Sequence, residues 1–127
     1  MKATPGAAVQ SALSLLNTSY RFGGTTPQSG FDCSGFVAYV MGLHAVSLPR
    51  SAAEQYAVGA PVTRNRLKPG DLIFFTTTGP GPTHVGIVTD AAQAEFVHAP
   101  ADGSRVRVDR FDADYWRRRW VGARRVF

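Results

Sequence analysis

Cys33, His84 and His98 are the residues of this chain whose types and spacing could do chemistry. A thiol attacks a carbonyl only as the thiolate, and an ordinary pKa of about 8.5 leaves a few per cent in that form at neutral pH. The run Gly30-Phe31-Asp32-Cys33-Ser34-Gly35 puts this thiol directly after an aspartate suited to cap a helix. Unpaired N–H groups and the positive end of the helix dipole there favour the thiolate. Ser34 and Gly35 are small enough to let a substrate carbonyl approach. By itself a lone cysteine is more often a small buried apolar residue. The histidines weigh against that reading. His84 heads the run His84-Val85-Gly86-Ile87-Val88, and His98 ends Glu95-Phe96-Val97-His98. If those runs pair as a hairpin about Asp90–Gln93, both imidazoles reach one end of a sheet, a base (His84) oriented by a second polar group (His98). Gly86 marks a point of close approach in the first run.

The elements that must position these groups follow from periodicity. Val9, Leu13 and Leu16 share one face of a helix over residues 6–17, and Tyr20-Arg21-Phe22 reads as extended. Residues 23–31 form a turn-rich loop. A second helix is expected from the Asp32 cap to about Gly42, burying Phe36, Val37, Val40 and Met41, with His44 at its end in a structural role that complements the dipole. A short helix through Ser51–Tyr56 follows Pro49. Leu72–Phe75, Val85–Thr89, Ala94–His98, Arg105–Val108 and Trp120–Phe127 then read as strands, with Arg105–Val108 alternating between a buried and a wet face. Phe111–Arg118 fits either a short helix or a loop. Helices first and strands later indicate an α+β fold, its helices packed on an antiparallel sheet.

Composition bounds the rest. At 127 residues the chain is one domain, and an apolar fraction of 44% suffices for a core. The longest apolar run, Phe36–Ala45, contains His44 and is too short for a transmembrane segment. One cysteine excludes an internal disulfide and a zinc site built on several thiolates; no metal or cofactor is expected. Lys2 is followed by Pro5, Gln10 and Ser11, so no signal peptide is legible. The net charge of +5 is local, because Arg105–Phe127 holds eight arginines against Asp109, Asp112 and Asp114. Such a surplus suits an anionic partner, whether nucleic acid, lipid or wall polymer. The Arg117–Arg119 run reads as a solvated face, Trp116 and Trp120 as core, and Asp71 as turn chemistry.

Seven blocks occurring in order carry a resemblance: Tyr20–Gly24, Asp32–Phe36, Leu48–Ser51, Pro69–Phe75, His84–Ile87, Val97–Ala99 and Gly122–Val126. From Tyr20 onward the chain resembles the NlpC/P60 cysteine peptidases of bacterial cell walls, which are papain-like in architecture. The resemblance implies a single catalytic domain over 1–127, with a helical lead-in over 1–19 and a motif-bearing core over 20–127. It implies Cys33 as nucleophile, His84 as general base and His98 as the orienting third residue. Tyr20 and the Cys33 N–H would form an oxyanion hole. Asp32, Ser34, Arg50 and Ser51 match substrate-binding positions, although Asp32 reads equally as a helix cap alone. The implied partner is a peptidoglycan stem peptide, cut at D-γ-glutamyl-diaminopimelate or else at the D-alanyl-diaminopimelate cross-link.

Acyl transfer by the same dyad is a weaker reading, since no long apolar segment is present to engage lipid. A non-enzymatic basic domain binding wall polymer or nucleic acid would leave Cys33, His84 and His98 as coincidence, and no nucleic-acid-binding motif is visible. The expected setting is the periplasm or extracytoplasmic wall, with the chain a monomer. An immunity protein plugging the groove is expected only for a toxin delivered into rival cells.

Overall fold

Thr4 caps the first helix by accepting the Ala7 amide at 3.1 Å, and Pro5 takes the first helical position, where its missing N–H costs nothing. The computed structural model describes residues 4–127, so Lys2 lies outside the described residues. Helix α1 (Pro5–Leu13) is shorter than the 6–17 expected. Asn17 leaves the helix with φ of 73° and gives its amide to the Val106 carbonyl. The buried face also differs from the expected one. Ala8, Val9 and Ala12 are buried, while Leu13 and Leu16 are more than one third exposed. Periodicity counted the large aliphatic residues, but the small ones seat this helix on its neighbours.

Helix α2 (Cys33–Gly42) matches its expected limits. The Asp32 Oδ1 accepts the Gly35 amide at 2.8 Å, and Phe36, Val37, Val40 and Met41 are fully buried. At its end His44 Nε2 meets Ser11 Oγ at 2.7 Å, tying α2 to α1; this is the structural role, exercised through a hydroxyl. Helix α3 (Ala52–Gln55) has a full capping box between Ser51 and Glu54.

The expected loop over 23–31 contains a small hairpin, β1 (Thr25–Thr26) with β2 (Gly30–Phe31). The main sheet contains β3 (Ala60–Val62), β4 (Leu72–Phe75), β5 (His84–Asp90), β6 (Glu95–His98), β7 (Arg107–Arg110) and β8 (Trp120–Arg125). Its six strands are ordered β3-β8-β4-β5-β6-β7, every pairing antiparallel. The fold is α+β, with helices packed on an antiparallel sheet, as expected. β3 carries only a three-residue Ala-Pro-Val pattern at a sheet edge, too short for alternation to announce it. β7 begins two residues later than expected. Val106 is buried in the core that includes Ala8 and Ala12 of α1, its backbone bonded to Asn17 and Thr18, while Val108, on the outermost strand, is 37% exposed. The expected alternation therefore fails at Val108.

The sheet is covered on both faces. Leu72, Phe74, Val85, Ile87 and Val97 pack under α1 and α2; Ile73, Phe75, Val88 and Phe96 pack with Phe111 and Trp116 on the opposite side. Trp116 sits on the one-turn helix α4 (Asp114–Arg117). That resolves the 111–118 segment as a turn of helix pinned by a tryptophan.

Asp71 performs the expected turn chemistry, accepting the Lys68 amide, and also binds Arg125 of β8 through two 2.8 Å bonds. Asp71 is 2% exposed, so Asp71→Ala would leave a guanidinium and an amide without their partner. We expect about 2–3 kcal/mol of lost stability in urea unfolding. A loss under about 0.5 kcal/mol, the usual scatter of surface changes, would mean this pair does not hold β8.

Candidate active site

The first turn of α2 is seated against the chain's own backbone. A Cβ on Gly35 would stand 2.1 Å from the Gly24 carbonyl oxygen, and one on Gly24 would stand 2.2 Å from that of Gly30. The glycine after Ser34 therefore admits the chain's own Gly24 carbonyl, which corrects the expectation that Gly35 makes room for substrate. Gln55, wholly buried, donates from Nε2 to the carbonyls of Ser34 and Pro49, fixing the same turn from α3.

Tyr20, Asp32, Cys33, Ser34, Ser51 and His84 all line one cleft of about 530 Å³. Arg50 is not among the lining residues; it grips Asp32 through two bonds of 3.1 and 2.7 Å and donates to Ser34 Oγ at 2.9 Å. With the Gly23 and Gly35 amides also bound, both Asp32 oxygens are occupied, so a substrate amine would share them with Arg50. The Ser51 hydroxyl is likewise engaged, in the capping box of α3.

The Cys33 sulfur faces the Thr83 carbonyl at 3.9 Å. Burial pushes the thiol above its ordinary value, and the Asp32 charge adds to this. The amides of Val85, Ser34 and Cys33 pull the other way and lose. The expectation that the helix tip favours the thiolate is therefore corrected: burial outweighs the helix terminus, and the thiol is protonated at rest. Tyr20 is also pushed up, first by burial and then by the Cys33 charge, so its phenol keeps a proton to donate.

His84 Nε2 and His98 Nδ1 lie 2.8 Å apart, and His98 Nε2 meets Asp109 Oδ2 at 2.6 Å. Gly86 provides the close approach expected of it, since a Cβ there would stand 2.6 Å from the Phe96 ring and 3.1 Å from the His98 Cβ. Trp116 stacks on His84 with centroids 5.2 Å apart and meets His98 edge-on at 5.0 Å. Sealed in this aromatic box, His84 is pushed down to about 3, by burial first and then by His98, against a smaller pull from Asp109. Burial lowers His98 as well, despite its bond to Asp109. Both rings are neutral at pH 7.

A cysteine on a helix tip and a histidine backed by a second, buried histidine thus line one cleft, and the sequence matches the NlpC/P60 family over residues 17–125. The chain belongs to the NlpC/P60 family. It is 40% identical over 123 residues to the murein DD-endopeptidase MepH of Escherichia coli, covering 94% of this chain and 45% of that protein. It is 40% identical over 122 residues to the gamma-DL-glutamyl hydrolase of Bacillus subtilis, covering 92% and 28%. An NlpC/P60 family protein from Bacillus cereus superposes with a TM-score of 0.91 at 27% identity, over 99% of this chain and 41% of that one. The chain thus spans less than half the length of these relatives.

Several residues of this NlpC/P60 site escaped the reading of the sequence. Asp109 sits on β7 opposite Phe96, two residues from Arg107, which is opposite His98. Its signal was an Asp at period two from an Arg, legible only once the register was known. Phe22, 84% exposed, forms part of the cleft rim, and Thr77, Thr83 and Asp102 also line the cleft. The Trp116 core reading holds, but that core is the wall of the histidine pair. Most of the arginines in the Arg105–Phe127 stretch have local partners: Arg107, Arg110, Arg117, Arg118 and Arg125 pair with aspartates. Arg119 and Arg124 lie over Tyr115 and Tyr56, and Arg105 donates to the Asn17 carbonyl.

Proposed function

We propose that this domain is a thiol peptidase that hydrolyses an amide in the stem peptide of peptidoglycan, outside the cytoplasm. The observation that carries the reading is that Cys33 and His84 line the same cleft while the far nitrogen of His84 is occupied by His98. That leaves Nδ1 as the His84 atom available to the thiol. Because thiol and imidazole are both neutral at rest, the proton crosses as the sulfur attacks. His84 Nδ1 takes it, the C–S bond forms, and the carbonyl oxygen gains charge facing the Cys33 amide and the Tyr20 hydroxyl. The C–N bond then breaks, and the amine leaves with the proton from His84. Water, deprotonated by the same nitrogen, hydrolyses the thioester and restores the thiol. Asp32, with Arg50 and Ser34, shapes the wall on which the peptide lies, and Ser51 borders it.

The bond we assign is D-γ-glutamyl-diaminopimelate, supported by likeness to a protein named a gamma-DL-glutamyl hydrolase. The cross-link is the second reading, supported by equal identity to a murein DD-endopeptidase. Digestion of purified sacculi followed by mass spectrometry separates them. Cleavage at the γ-glutamyl bond leaves disaccharide bearing only two amino acids; cross-link cleavage converts dimeric muropeptides to monomers. A profile identical to that of the Cys33→Ala protein would refute hydrolysis altogether.

A further inference from the structure

A neutral imidazole has one N–H and one lone pair, so the placement of each proton decides whether His84 can accept from a thiol. The placement follows from the far end of the array. Asp109 Oδ2 accepts from Arg107 Nε at 2.8 Å and meets His98 Nε2 at 2.6 Å. A carboxylate only accepts, which puts the His98 proton on Nε2. His98 Nδ1 then holds a lone pair and accepts from His84 Nε2–H at 2.8 Å. The second His84 nitrogen, Nδ1, is left with its lone pair. In the reversed arrangement His98 would donate from Nδ1, His84 would carry its proton on Nδ1, and that nitrogen could not deprotonate a thiol. Phe96 and Trp116, the rings packed on His98, offer no competing acceptor.

We infer that Asp109, on the edge strand β7, is a positioning residue that acts through His98 to fix the tautomer of His84, with Arg107 holding the carboxylate in place. This rests on the thiol mechanism proposed above. The charge state of Asp109 suits that role. Although partial burial pushes its carboxyl up, the bonds from His98 and Arg107 hold it below the usual range. Its side chain is 28% exposed, so the array ends at the surface.

Nitrogen-15 NMR of the histidine rings tests the inference without reference to activity. In the native protein at pH 7, both rings should be protonated on Nε2 and bare on Nδ1. A proton on His84 Nδ1 would overturn the proposal. In Asp109→Ala the tautomers should mix or reverse, and kcat on a stem-peptide substrate should fall about 100-fold with KM little changed. Unaltered ring shifts, or kcat within about threefold of native, would equally overturn it, because a merely structural role would move stability alone. Cys33→Ala keeps the two ideas apart. Full activity in that variant removes the thiol mechanism, while the ring shifts still report what Asp109 does.

Discussion

Cys33→Ala should leave a folded protein whose release of muropeptides from sacculi is reduced by about 10⁴-fold or more. The fold survives because the turn around residue 33 is held by other groups: Asp32 caps the helix, Arg50 and Gln55 brace it, and Gly35 seats it on Gly24. The sulfur makes only a long contact to the Thr83 carbonyl, so its removal takes little from the folded state. Activity does not survive, since nothing else in the cleft can form a thioester. Cys33→Ser should be nearly as inactive, because a hydroxyl is far harder to ionise than a thiol that is already held protonated. Circular dichroism confirms folding, and product release is read by mass spectrometry. Native rates in a folded Cys33→Ala protein would remove the peptidase mechanism.

Acid should destabilise this domain well before ordinary carboxylates titrate. His84 has a folded pKa of about 3 against about 6.5 in an unfolded chain, so between those values the unfolded state binds a proton that the folded state refuses. The stability this supplies is complete above about pH 6.5 and is lost as pH falls toward 3. From pH 7 to 4.5 the loss is about 2–3 kcal/mol from His84 alone, and His98, also lowered, adds in the same direction. Urea unfolding at pH 7 and 4.5 measures it. His84→Gln, whose side-chain amide can still donate to His98, should lose the His84 share of the dependence. A native midpoint that stays constant over this range would show that the histidines are not held neutral.

Much of the site was legible because short-range chemistry wrote it. An Asp cap before Cys33, a short strand-forming run after His84 and another before His98 each stay within a few residues, and the structure places them as those patterns indicated. What escaped depends on partners distant in sequence. Whether Leu13 or Ala12 faces inward is decided by how closely α2 approaches, and Asp109 acquires its meaning only from the strand beside it. The ionisation of Cys33 escaped for the same reason. A helix terminus can be read locally, whereas the burial that outweighs it comes from the whole cleft wall.

The position of β8 bears on how the protein is made. Residues 120–125 lie between β3 and β4, strands whose sequences precede them by about fifty residues. A ribosome delivers both neighbours first, so the sheet stays split, with two open edges, until the last strand emerges and slots between them. Such distant pairing slows folding. The six-stranded sheet is therefore completed only once residues 120–125 have been made.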